Sequence, residues 1–173
     1  MKSNRSLILV LLISFGFSFL AFAETISDKY AEANKLIPEA GKLINAGDLD
    51  GGLKLLKQTI LIAPEEPDLH MNYASVLFVK AQRLFQSGYN ESAKEIFSEV
   101  EKELTLAIKL YEQDQLKDKN GHSKAQCYFL LGDIYYHVYE DKVKAQSLYQ
   151  KALGYNPDHA GAAEALKKIQ GSE

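Results

Sequence analysis

The chain has 173 residues, 46% of them hydrophobic and 25% charged, enough for one domain with a real core. Its formal net charge of −3 supplies no electrostatic drive toward nucleic acid or an anionic lipid surface. Four prolines, no tryptophan and ten tyrosines fit a helical protein with aromatic packing.

At the N-terminus, Lys2 and Arg5 precede an apolar, uncharged run over residues 7–22, and Ala21-Phe22-Ala23 offers the small residues a signal peptidase reads. Together these predict a secretory signal peptide over residues 1–23, cleaved after Ala23. The alternative is an uncleaved membrane anchor, since the run approaches the roughly 17–20 residues that span a bilayer. No cysteine stands at the site to carry a lipid. Cleavage removes Lys2 and Arg5 and moves the formal charge from −3 to −5. It also leaves Cys127 as the single thiol in an oxidising space. Beside Tyr128 and Phe129 in an apolar helix, that thiol reads as buried. Stability must therefore come from helix packing and not from cross-links.

Residues 24–46 read as a helical lead-in and a first helix, with Leu36, Ala40 and Leu43 on one face and Pro38 as a kink or a start. NAGDLDGG, residues 45–52, supplies turn residues, and a second helix runs on toward Pro64. Pro67 opens the next helix, whose apolar residues Ala74, Leu77, Ala81, Leu84 and Phe85 continue until Ser87-Gly88-Tyr89-Asn90 breaks the pattern. Beyond Asn90, the expected N-cap, Ala93, Phe97, Val100, Leu104, Ala107 and Tyr111 form a stripe of about five turns. This predicts an extended antiparallel hairpin roughly 30 Å long. Glu99, Glu101 and Glu103 are assigned to its solvated outer side.

DQLKDKNG, residues 114–121, is a polar turn, and Ser123 with Gln126 makes a capping box for the helix that follows. In that helix Tyr128, Leu131, Gly132 and Tyr135 share one face; after the break at Glu140-Asp141-Lys142, Ala145, Leu148, Tyr149 and Ala152 share another. Pro157 ends the pair. Asp158 is the expected cap of a last helix through Ala162, Ala165, Leu166 and Ile169.

Tyr128-x2-Leu131-Gly132-x2-Tyr135, then Ala145-x3-Tyr149, Ala152 and Pro157, resembles the tetratricopeptide repeat (TPR) motif, W-x2-L-G-x2-Y, A-x3-F, P. Tyrosine replaces Trp and Phe, and one extra residue lies between the helices. Counting back at the same spacing from Pro64 places Gly52, Leu56 and Thr59 at the Ala, Phe and Ala positions. The resemblance implies an all-α, antiparallel helix-hairpin array, a TPR-like α-solenoid, with one extended central hairpin and a C-terminal capping helix. Its units would be residues 33–66, 67–118 with an insertion, and 125–158, with a cap over 159–170, inside a single domain of residues 24–173.

In such proteins the first helices line a concave groove. Carried over by position, the third unit contributes Gln126, Phe129, Asp133, Tyr136 and His137. The second contributes Asp68, Met71, Ser75, Phe78 and Val79, and the first Asn34, Ile37, Gly41, Ile44 and Asn45. Of these, Asn45, Met71, Phe78, Gln126, Phe129, Asp133, Tyr136 and His137 are the expected partner-binding residues. A mostly apolar and aromatic surface of this kind suits a peptide or helix of a partner. Phe78, Val79, Ile37 and Ile44 are equally compatible with facing the core. The clamp that some TPR domains use for acidic C-terminal tails needs Lys and Asn where Ile37 and Gly41 stand, so that specificity is not implied.

No phosphate-cradling glycine loop, H-E-x-x-H or paired C-x-x-C is present, and the four histidines have no ligand spacing. His137 and Glu140, three apart, read as a solvated contact. No nucleophile setting surrounds any serine or the cysteine. The expectation is a non-catalytic scaffold or adaptor in the bacterial periplasm, with a protein partner, no cofactor, no metal and no nucleic acid. Membrane contact would come only through an uncleaved signal segment. The alternative is a small-molecule or lipid-binding subunit with an enclosed apolar pocket near Phe78 and Tyr136. Self-association through the long hairpin is a further reading.

Overall fold

The computed structural model describes residues 31–171, so the predicted signal segment lies outside the described residues. Among these residues there are seven α-helices and no strand. They are α1 (31–45), α2 (Leu49–Ile62), α3 (Pro67–Gln86), α4 (Asn90–Gln113), α5 (His122–His137), α6 (Lys142–Tyr155) and α7 (Ala160–Gln170). A 3-10 turn, Gln115–Asp118, leads from α4 into α5. From α2 to α7 the helices pack mainly on their neighbours in sequence, α3 on α4 and α5 on α6 above all, as short connections between antiparallel helices require. The all-α hairpin array is as expected.

The central hairpin is the long one. At 1.5 Å per residue, 20-residue α3 and 24-residue α4 measure about 30 and 36 Å, against about 24 and 21 Å for α5 and α6. Phe97, Val100, Leu104, Ala107 and Tyr111 of α4 are buried against Tyr73, Ala74, Leu77, Phe78 and Ala81 of α3, as the stripe predicts. A second core joins Ala125, Ala145, Tyr149 and Ala152 of the α5–α6 pair to Ala162 and Ile169 of α7. At Gly132 the Tyr149 ring of α6 lies close against the α5 backbone. A Cβ there would stand 2.5 Å from Tyr149 Cε1, so only glycine admits the ring.

The helix starts correct three expectations. Asn90 is the first helical residue of α4, the cap position is Tyr89, and no side chain caps it. Ser123 does not cap α5. The helix begins at His122, after Gly121 at φ 68°, and its first amides donate to the carboxylate of Asp118 (Ser123 N at 3.1 Å, Lys124 N at 2.9 Å). The 3-10 turn brings that carboxylate in from outside the local motif. The α7 cap is His159 and not Asp158, with its Nδ1 accepting the Ala162 N–H. Pro67 opens α3 as predicted, and α1 continues on both sides of Pro38.

The acidic residues of α4 need a larger correction. Glu99, Glu101 and Glu103 are half-buried and not a free solvated face. Glu99 accepts the Tyr73 hydroxyl at 2.8 Å, Glu101 accepts the Tyr135 hydroxyl, and Glu103 stands 2.6 Å from His70 Nδ1. The other His70 nitrogen, Nε2, lies 2.8 Å from the Pro64 carbonyl, which can only accept, so Nε2 carries a proton. Near the start of α3, Tyr111 of α4 donates to Asp68. Carboxylates thus tie α4 to both α3 and α5.

Candidate functional site

Two adjoining clefts lie along the first helices of the hairpins. One, of about 340 Å³, sits between the C-terminal half of α3 and the end of α5. Phe78, Gln82, Phe85 and Gln86 form its α3 side, with Asp133, His137 and Val138 opposite and Phe97 from α4. The other, of about 210 Å³, sits between α5 and α7. Phe129, Asp133, Tyr136 and His137 face Gly161, Ala165, Glu164 and Lys168 across it. Asp133 and His137, one turn apart on α5, line both.

Of the expected partner-binding residues, Phe78, Phe129, Asp133, Tyr136 and His137 therefore come together in this groove. Asn45 and Met71 line neither cleft. Asn45 is exposed at the end of α1, and half-buried Met71 lies with its Sδ 3.9 Å from the Tyr111 hydroxyl. Gln126 lines neither as well, because its Oε1 accepts from His159 Nε2 at 3.2 Å. Since His159 Nδ1 is already an acceptor at the α7 cap, the ring is the neutral tautomer with its proton on Nε2. Phe129 is half-committed to packing: the His159 ring lies 4.8 Å from it, and a Cβ on Gly161 would meet its ring at 2.9 Å. The capping helix has claimed the N-terminal part of the predicted groove face.

Asp133 has two roles. Its Oδ1 accepts the Tyr149 hydroxyl at 2.8 Å, and Oδ2 has no hydrogen-bond partner among the described residues. Burial raises the carboxyl above its ordinary range, against the lowering effect of the Tyr149 bond and of nearby positive charge such as Lys168. Lys168 itself pairs with Glu164 at 2.8 Å. Phe78 is core as well as cleft: it is buried, with its ring edge-on to Phe97 at 5.6 Å, while Val79 beside it is exposed. His137 is the last residue of α5 and its ring stands edge-on to Tyr136, so the helical His137–Glu140 pairing does not form.

Gln82, Phe85 and Gln86 lie beyond the groove positions of a 34-residue repeat, the last of which falls at Val79. The signal was there. Phe78, Gln82, Phe85 and Gln86 continue one stripe at spacings of four, three and one along the stretched helix. Among the described residues Phe78 and Tyr136 line separate open clefts that meet at Asp133 and His137, not one enclosed apolar pocket. A wider cleft of about 530 Å³ between α2 and α4 takes in none of the predicted residues. Two of its carboxylates, Glu99 and Glu103, already serve Tyr73 and His70. Among the described residues no cluster of His, Cys, Asp and Glu could hold a metal, and no helix is long and apolar enough to cross a membrane.

Solved structures with the same arrangement decide the fold. The first TPR domain of Spaghetti (RPAP3) bound to the HSP90 peptide SRMEEVD covers 81% of this chain and 91% of its own, at a TM-score of 0.59 and 19% identity. The N-terminal domain of stress-induced protein-1 (STI-1) from C. elegans covers 82% and 97%, at a TM-score of 0.64 and 13% identity. The fold is a tetratricopeptide repeat fold. The second TPR domain of human RPAP3, in complex with the HSP70 peptide SGPTIEEVD, matches at a TM-score of 0.52 and 17% identity, covering 82% and 98%. No protein-family model matches the sequence, and neither does any curated protein. Identities this low speak to the TPR fold and not to what the groove holds.

Proposed function

We propose that the protein is a non-catalytic interaction module that holds a segment of a partner protein in the groove over α3, α5 and α7. One observation carries this reading: Asp133 and His137 join two open, half-apolar clefts into one surface reaching from Phe78 to Tyr136. Solved proteins of the same fold are seen with peptides, which supports a peptide as the occupant here. No nucleophile and base converge in the groove, and Cys127 is buried away from it. The charged run-in and apolar stretch before Ala23 support export, with the bacterial cell envelope as the place of action.

A photo-crosslinking residue placed at Tyr136 or at Gln82 tests the groove in living envelope fractions. Both positions should trap the same partner, and exposed Lys109 on α4 should not. Equal trapping at all three, or none at the first two, removes the reading. Fractionation with N-terminal sequencing tests export, and a mature chain starting at Glu24 is expected.

A further inference from the structure

The α3–α5 cleft carries one formal charge, and it is negative. Its lining combines the aromatic rings of Phe78, Phe85 and Phe97 with the amides of Gln82 and Gln86, the imidazole of His137 and the carboxylate of Asp133. No lysine or arginine lines it. Asp133 is half-buried, one of its oxygens is bonded to Tyr149, and the other has no partner among the described residues. A carboxylate so placed has lost part of its hydration and is not compensated on the α3 side. On the α7 side Lys168 is already paired with Glu164. Exposed Gln82 and Gln86 offer donors and acceptors at the rim, as an extended backbone needs.

We infer that the α3–α5 cleft takes the lysine or arginine side chain of an extended partner segment against Asp133, with apolar residues of that segment on the Phe78–Phe85 side and beside Tyr136. An acidic side chain in this cleft would set carboxylate against carboxylate, and no lysine or arginine lines the cleft to receive it, so the α3–α5 cleft selects against acidic residues. The inference rests on the groove reading above and gives its partner a chemistry.

A phage-displayed library of random peptides, selected against the purified protein, provides the test. Enriched peptides should carry a Lys or Arg next to apolar residues. Replacing that residue by Glu should weaken binding about tenfold or more. Asp133→Asn, which keeps an acceptor for Tyr149, should erase the difference. Gln82→Lys, at an exposed position that packing does not use, should weaken the basic peptides while leaving the fold intact by circular dichroism. Enriched peptides that are acidic or indifferent to charge, yet weakened by Tyr136→Ala, overturn this inference and leave the groove reading standing. No enrichment, or peptides insensitive to both Tyr136→Ala and Gln82→Lys, overturns the two together.

Discussion

The Tyr149 hydroxyl donates to Asp133 Oδ1 at 2.8 Å, so the carboxylate at the centre of the groove is bonded to the interface between α5 and α6. Desolvation raises the Asp133 carboxyl and the Tyr149 bond works in the other direction. In the unfolded chain an aspartate titrates at about 3.9. Between that value and the raised one, the folded state binds more protons than the unfolded state, so stability falls as pH rises through the window. Asp133→Asn removes this titration and keeps an acceptor for Tyr149. Urea midpoints taken from pH 3 to 7 should show the variant gaining on the wild type as pH rises through that window. Parallel curves would count against the account. Tyr149→Phe should cost about 1 kcal/mol in the same assay, with the carboxyl moving further up.

Two glycines of the α5–α6 hairpin should respond in opposite directions to alanine. At Gly132 the new methyl would stand 2.5 Å from the ring of Tyr149, a fully buried side chain with no room to yield. A loss of about 1–3 kcal/mol is expected. At Gly154, exposed in the last turn of α6, nothing lies within 4 Å of the added methyl. There the smaller entropy of the unfolded chain should stabilise the protein by about 0.5 kcal/mol. Thermal denaturation of the two variants decides, and shifts of the same sign would refute the geometry.

Asp118, not Ser123, secures the start of α5. Its carboxylate accepts the backbone N–H groups of both Ser123 and Lys124, and it is itself buried. Asp118→Ala should cost about 1–2 kcal/mol, and Ser123→Ala a few tenths. Equal losses in chemical denaturation would restore the local capping box.

Cys127 has no exposed surface, and burial pushes its thiol up to about 12. Since the thiolate is the reactive form, the folded protein should resist a thiol-specific reagent at neutral pH and be labelled only as it unfolds. A labelling rate that follows denaturant concentration is expected. Rapid stoichiometric labelling without denaturant would show that the thiol is not enclosed.

The sequence by itself determined the helices, their order and the family of folds. Periodicities such as Tyr128, Leu131, Gly132 and Tyr135 follow from which faces must be buried, and burial dominates the energetics of a helix. It also marked the long central hairpin, because the stripe from Ala93 to Tyr111 is unbroken. The caps were less legible. Asp118 and His159 reach their amides through turns whose geometry the sequence does not spell out. The site was legible only in part. The structure brings Phe78, Phe129, Asp133, Tyr136 and His137 to the two adjoining clefts, whereas Gln126 bonds His159, and Asn45 and Met71 line neither cleft. Only the tertiary structure decided which polar groups were already spent: a Glu on an apparently outer stripe becomes an acceptor once Tyr73 or Tyr135 from another helix meets it. Burial is written along one helix. Hydrogen-bond pairing belongs to two, and their relative rotation is fixed only when both cores are packed.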